Sequence, residues 1–538
     1  MSKSNRMYKI FMTAMVTIIA GLLLACGVIA IQKSMKLNFS MNAYPNFQIE
    51  VRILKEGETG EGTLIFKNFG ETTIHSQITS LNGITLNASD NFLSTFGNEF
   101  ALIIKNFTED VPLEVYVTST AETITGAEGV PAEITPIKSK ADYYVENTEA
   151  DYVSFGISVG AVFEQNTTIQ IEIKDKIWSG NVAESFAGGT GTADDPYLIS
   201  NGEELALLAT NSSYSSKYFK VTEDIYLNKG FSKYESWGTT APSNSWTPIG
   251  IVRKFSGQFD GNNKKIYGIY INNGTANYQG LFGRTEDATI KNVIVEKGFI
   301  KGGSNVGGVC GFFDYDAYGE KIENCKNYAL VQGTQHVGGI VGYAGPNATI
   351  TKCANFGGVV GAGEGVAGIC GYASSSSTYI TLCYNEGQIA NSGNYTGGIT
   401  GANHGQIYNS YNFGEINGFE YVGGICGDSG LGVDYCYNVG FVSGDSYAGG
   451  VAGYALFEYY VASGATACYW YIDCGATQGC GEAENADSPN TGAEPKSAAE
   501  LKTQSTYEGW DFDTVWTIDP NGVINDGYPY LRDLPPVA

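Results

Sequence analysis

The chain has 538 residues, more than one ordinary domain holds, and is rich in glycine (71) and tyrosine (36) with only 16% charged residues. That composition excludes a helical bundle and points to a turn-rich β protein. The net charge of −25 excludes nucleic acid, whose binding needs clustered Lys and Arg, and argues against peripheral docking on anionic lipid.

In chain order, residues 1–36 form a membrane-related segment. Lys3, Arg6 and Lys9 precede an uncharged run at 11–31, and Lys33 and Lys36 follow it. At about 1.5 Å per residue the run spans a bilayer core. The excess of basic residues before it places the N-terminus inside and the bulk of the chain outside. Three readings compete: an uncleaved anchor helix; a lipoprotein signal, in which Leu23-Leu24-Ala25-Cys26 resembles a lipobox and Cys26 takes the lipid; and a cleaved signal peptide. All three export the chain, which predicts a cell-surface location with most of the protein extracellular.

Residues 37–178 read as a β-sandwich-like domain. Phe47, Ile49, Val51 and Ile53 alternate with polar residues, as do Ile169, Ile171 and Ile173, and more loosely Leu113, Val115 and Val117. Its simplest role is a stalk. A glycine- and serine-bearing stretch at 179–189 reads as a linker.

Residues 190–475 carry an internal repeat. One tetrad recurs seven times: Gly280-Leu281-Phe282-Gly283, Gly308-Val309-Cys310-Gly311, Gly339-Ile340-Val341-Gly342, Gly368-Ile369-Cys370-Gly371, Gly398-Ile399-Thr400-Gly401, Gly424-Ile425-Cys426-Gly427 and Gly450-Val451-Ala452-Gly453. Their starts lie 26 to 31 residues apart. Between them runs an aliphatic-x-x-Cys-x-Asn element: Ile322…Cys325…Asn327, Ile350…Cys353…Asn355, Ile380…Cys383…Asn385, Ile407…Ser410…Asn412 and Val433…Cys436…Asn438. A third piece such as Gly358-Val359-Val360-Gly361 usually follows.

Three short strands in just under 30 residues make one coil of a parallel β-helix, with coils about 4.8 Å apart and like residues over like. The second tetrad position, aliphatic in every copy, points inward. The glycines fit corners needing positive φ or close backbone approach. The Asn column fits a ladder that satisfies corner backbone groups. The aliphatic and Cys positions differ by three, so a corner or bulge must fall between them.

These tetrads are those of the GLUG motif, and from about 189 to 532 the chain resembles GLUG-repeat surface proteins. The opening at 189–199 (GTGTADDPYLI) and the closing Gly509-Trp510-Asp511-Phe512 and Gly527-Tyr528-Pro529-Tyr530-Leu531 match as well. The resemblance implies a right-handed parallel β-helix, a surface or secreted location, an adhesin-like or structural role, and no catalytic residues. Both open ends need covers. Ser200-Asn201-Gly202-Glu203-Glu204 starts a capped helix over the front, and 476–538 is a C-terminal cap region with a Ser497-x-x-Glu500 capping box.

The chain has eleven cysteines. Those of the repeats, with Cys468, read as buried apolar fillers without metal-site spacing. Cys474 and Cys480, in a glycine-rich loop, are the best disulfide pair. His75, His336 and His404 are scattered, and no H-E-x-x-H motif is present. Asp314 and Asp316 read as solvated loop charge.

The expected function is therefore a membrane-anchored surface protein presenting its β-helix flank to glycan or protein partners of host or microbial origin. No enzyme activity, cofactor or metal is expected. The alternative is a carbohydrate-active β-helix hydrolase or lyase, which needs paired carboxylates in one cleft. Tyr384, Tyr408, Tyr411 and Tyr437 are candidate sugar-stacking rings, with coil-to-coil packing as their other reading.

Overall fold

A computed structural model describes residues 176–314, 319–456, 465–484 and 492–536, together with the backbone of eleven strands between 35 and 175. The chain divides into two compact units, 1–176 and 177–538. The apolar run at 11–31, with Cys26, lies outside the described residues. Among the described residues no helix is long and apolar enough to cross a membrane.

The first unit is built of strands. One sheet has five and another four, with a separate two-stranded pair. The alternating runs anticipated from sequence fall on strands Gln48–Leu54, Val111–Thr120 and Thr168–Asp175. The last two pair antiparallel with Ile171 opposite Val117 and Ile173 opposite Val115, so their apolar positions share one face.

The second unit is a stack of coils, and four parallel sheets run along it. The tetrad sheet has eight strands, from Phe282–Thr285 to Cys480–Glu484. The isoleucine sheet has ten, from Tyr197–Ile199 to Ala465–Thr466. The asparagine sheet also has ten, from Ile225–Tyr226 to Ala493–Lys496. The valine sheet, of eleven, takes two short strands from most coils, as in Ile389–Asn391 and Asn394–Gly397. In later coils these fuse into single strands, Ile416–Gly423 and Val442–Gly449.

Each repeat position has a physical role. The second tetrad residue, from Leu281 to Val451, is fully buried in every copy. So is the aliphatic column from Ile322 to Val433. Two residues after each aliphatic, the chain turns through a left-handed residue (Asn324, Lys352, Leu382, Asn409, Tyr435), which is the corner that the three-residue offset requires. The Asn ladder is continuous: Asn327, Asn355, Asn385 and Asn412 each donate to the Oδ1 of the next, at 2.8–2.9 Å. Each also donates to the carbonyl two residues on, as Asn385 does to Gly387 at 2.9 Å.

The tetrad glycines serve close approach, and none of them has positive φ. A methyl group on Gly368 would strike the amide of Asn385; one on Gly371 would meet backbone atoms of His336 and Val337 at 2.5 Å. Neither obstacle can rotate away. Gly371→Ala is therefore expected to cost about 3 kcal/mol, read as a lowered urea midpoint, whereas an alanine at exposed Gly319, which meets nothing within 4 Å, should leave it unchanged.

The helix Gly202–Thr210 covers the front, as expected. Asn201 caps it by accepting from the Glu204 amide at 2.9 Å, and Glu204 accepts from the Ser200 amide at 2.6 Å. The stretch 179–189, read as a linker, is instead packed into this first layer. Ser179 donates to Glu203, and the Phe186 ring lies 4.7 Å from Tyr197 and 5.5 Å from Phe219. A half-buried aromatic packed against the core is not free to act as a tether.

The C-terminal region covers more than the back. Strand Ala493–Lys496 adds to the asparagine sheet, and Ser497 and Glu500 form the expected capping box. Residues 497–536 then return along the flank as a strap. Lys352 pairs with Asp533 at 2.8 Å, the Trp516 Nε1 donates to Asn409, and the Tyr437 hydroxyl donates to the Pro529 carbonyl at 2.5 Å.

Candidate functional site

The strap decides which aromatics are available. Tyr384, Tyr411 and Tyr437 stack in register, with ring centroids 4.8 and 5.2 Å apart, and all three are fully buried beneath Trp510, Trp516 and Tyr528. Of the two sequence readings, coil-to-coil packing describes these three and sugar stacking does not: they are the core between coils and strap. Tyr408 is half-buried.

A second aromatic ladder runs along the outside of the tetrad sheet. The residue after each second tetrad glycine, with Glu482 of the last strand, forms one column in register: Arg284, Phe312, Tyr343, Tyr372, Ala402, Asp428, Tyr454, Glu482. Beside it, three residues before most tetrads, stands a column of left-handed residues: Asn305, His336, Gly365, Tyr395, Tyr421, Tyr447. Rings from both columns meet. Tyr343 stacks on Tyr372 at 5.3 Å, His336 lies 4.8 Å from Tyr372, and Tyr395, Tyr421 and Tyr447 stack at 5.2 and 5.0 Å. Tyr395 and Tyr421 are half-buried, and Tyr447 is 40% exposed.

Tyrosine in the left-handed region costs about 1–2 kcal/mol relative to glycine. The same geometry forms the corner at Lys352, Leu382 and Tyr435, so here too it marks a turn of the coil. The pattern was hard to see in sequence, because neither column keeps one residue type and tyrosine is no signal for positive φ.

Electrostatics on this flank are acidic. Glu364, Glu420, Asp428 and Glu482 surround the tyrosines, and their influence adds to partial burial in raising the Tyr395 and Tyr421 hydroxyls, Tyr421 to about 12. His336 is lowered to about 4 by burial, so it is neutral at pH 7, with Nδ1 2.9 Å from the Asn305 Oδ1. Burial, helped by Glu364, raises Asp428 to about 7; its Oδ2 lies 3.8 Å from the His404 Nε2. A carboxyl raised in the folded state favours folding below its unfolded value and loses that contribution as pH rises to about 7. Asp428→Asn should thus flatten the stability curve between about pH 4 and 7, measured by urea unfolding across that range. An unchanged slope would mean that Asp428 is ionised throughout.

The remaining sequence candidates fall elsewhere. Asp314 is not solvated loop charge: it is buried and held by Lys254 at 2.5 Å and Arg284 at 3.5 Å, while Asp316 lies outside the described residues. Nearby Glu320 is pushed up to about 8 by burial, with Asp287 and Asp314 adding and Thr285 opposing. The repeat cysteines are buried free thiols, and Cys325, Cys353, Cys383 and Cys436 each donate to the carbonyl two residues back. Cys474 and Cys480 are also free thiols rather than a disulfide. Cys480 is drawn inward as the first residue of the last tetrad-sheet strand, opposite Ala452. His75 lies among residues described by backbone alone. Among the described residues, no three His, Cys, Asp or Glu side chains are placed to hold a metal ion. A hollow of about 550 Å³, open to solvent, lies on the strap beside Tyr507, Trp510 and Asp511.

Coil-on-coil stacking in register defines the second unit as a parallel β-solenoid. No family model matches the chain, so its likeness to GLUG-repeat proteins rests on the sequence motifs alone. Halomucin from Haloquadratum walsbyi is 28% identical over 194 residues, covering 34% of this chain and 2% of Halomucin. A protein from Evansella cellulosilytica provisionally described as a Gly-rich membrane protein is 33% identical over 123 residues, covering 21% of this chain and 12% of that one. The chain thus spans only a small part of either relative. Among solved structures, it is similar to one from Bacteroides ovatus provisionally described as an immunoglobulin A1 protease, with TM-score 0.40, 18% identity, and coverage of 64% of this chain and 95% of that one. It is also similar to one described as IgA1 protease, with TM-score 0.36, 15% identity, and coverage of 86% and 29%. These descriptions correct the expectation that the chain is no enzyme. Regular coils do not preclude chemistry in loops or adjoining segments. At these scores no mechanism carries over.

Proposed function

We propose that the chain is a surface-displayed β-solenoid that uses the tetrad flank, not the asparagine flank, to bind an extended partner. The observation carrying this reading is the set of aromatic rings from Tyr372 to Tyr454, kept partly open to solvent while the opposite ladder is sealed by the strap. Loop variation supports the same flank. From a tetrad's first glycine to the next aliphatic residue the spacing runs from nine residues (Gly398 to Ile407) to fourteen (Gly308 to Ile322). The rest of each coil is nearly constant, so insertions gather at the corner beside the tetrad sheet, where repeat proteins commonly bind. The apolar run at 11–31 and the Evansella protein's description as a membrane protein support tethering at the surface.

The test uses Tyr395→Gly with Tyr421→Gly, because glycine is at ease in the left-handed region and the fold is retained. Wild type and variant are screened on mucin, matrix proteins and a glycan panel, with polysaccharide and immunoglobulin cleavage followed in parallel. A partner bound by wild type and at least tenfold more weakly by the variant is expected. Undiminished binding by the variant, or cleavage without retained binding, overturns the reading.

A further inference from the structure

We propose that the tetrad flank docks an extended basic segment of a partner polypeptide, in polyproline II conformation with Lys or Arg at every third residue. The proposal rests on the reading of that flank as the binding face.

Charge complementarity gives the sign of the partner. Between Lys352 and Lys496 the chain has neither Lys nor Arg but thirteen Asp and Glu. Among the described residues, no lysine or arginine pairs with Glu364, Glu420, Asp428 or Glu482. The flank therefore presents carboxyl groups that no lysine or arginine of its own coils answers.

Spacing gives the partner's conformation. Glu420 sits opposite Asn394 in one coil and Ser446 in the next, so at the position preceding the left-handed column carboxylates recur at alternate coils, Glu364 and Glu420. On the tetrad column Asp428 and Glu482 are likewise separated by one coil, which carries Tyr454. Two coils rise about 9.6 Å. Three residues of polyproline II rise about 9.3 Å. A cation at every third residue thus meets a carboxylate at every second coil.

Ring orientation favours a polypeptide over a sugar. Tyr395, Tyr421 and Tyr447 are stacked face to face, 17° and 7° from parallel, so neighbours take both faces of Tyr421 and one face each of Tyr395 and Tyr447. Edges and hydroxyls remain to face a ligand. Stacking on a pyranose needs an open ring face, whereas a polyproline II backbone offers carbonyls with no internal partner to accept from such hydroxyls.

The probe is a labelled peptide of six Lys-Pro-Pro repeats, titrated against the full chain by fluorescence anisotropy. Comparison ligands are a peptide with the same six lysines spaced by Gly-Ser and a chitosan hexamer. The expected result is binding at least fivefold tighter for the Lys-Pro-Pro peptide than for the Gly-Ser one. It should weaken at least tenfold in Glu420→Gln with Asp428→Asn, and be unchanged in Glu415→Gln with Glu508→Gln, which lie off this flank. Equal affinity for both lysine peptides, or indifference to the Glu420/Asp428 pair, overturns the proposal as generic charge attraction. Binding of chitosan but not peptide overturns it in favour of an amino sugar. Failure of all cationic probes, while a panel partner still depends on Tyr395 and Tyr421, overturns the partner class and leaves the binding face standing. Failure of both overturns both.

Discussion

Replacing Asn385 by leucine is expected to destabilise the solenoid by about 4 kcal/mol, whereas Cys383→Ala two residues earlier should cost only about 1 kcal/mol. Both side chains are fully buried in the same coil. The difference lies in what each removal leaves behind. Asn385 accepts from the Asn355 amide at 2.8 Å, donates to the Asn412 oxygen at 2.8 Å and donates to the Gly387 carbonyl at 2.9 Å. Its loss strands three buried polar groups, each at about 1–3 kcal/mol. Cys383 makes a thiol contact to the Thr381 carbonyl at 3.2 Å, and its loss chiefly removes one sulfur from an apolar interior. Because coils stabilise their neighbours, the Asn385 defect should propagate and broaden the urea transition as well as lower its midpoint. Equal costs for the two variants would show that the ladder is not what joins the coils.

Trp516→Ala should release the strap while leaving the coils folded. The Trp516 ring is fully buried, lies 4.5 Å from Trp510 and about 6 Å from Tyr411 and Tyr437, and its Nε1 reaches Asn409 at 3.2 Å. Truncating such a residue costs about 3–5 kcal/mol. The strap has only a one-turn α-helix, two three-residue 3-10 turns and one two-stranded pair of its own, so it cannot make good that loss. Limited proteolysis should cut within 497–536 at least tenfold faster in the variant, with increased binding of a hydrophobic dye as Tyr384, Tyr411 and Tyr437 become exposed. A variant as protease-resistant as wild type would show that the strap is held by other contacts.

How far the sequence carried these conclusions depends on whether a position's environment repeats. Tetrads, aliphatic column and Asn column face the same neighbours in every coil, so selection for one residue type recurs and the stack is legible. Even the corner between Ile and Cys was implied by their spacing. The strap is different in kind. Trp510, Trp516 and Tyr528 occur once, and their partners Tyr411 and Tyr437 lie about a hundred residues earlier, so no period connects them. Inward and outward tyrosines were for the same reason indistinguishable: Tyr411 and Tyr421 are ten residues apart in like sequence, yet one is buried under the strap and the other lines the open flank. The role of the glycines was half-readable, since close approach and positive φ both call for glycine and only the coordinates separate them.

Tyrosine nitration of the intact chain, read by peptide mass spectrometry, distinguishes a solenoid with one sealed and one open flank from one with both flanks open. Tyr395, Tyr421 and Tyr447 should react, with Tyr447 fastest, and a bound partner should protect them. Tyr384, Tyr411 and Tyr437 should stay unmodified until the strap is cut. Comparable reaction at both sets in the intact chain, or protection by partner at the asparagine flank alone, would contradict the account.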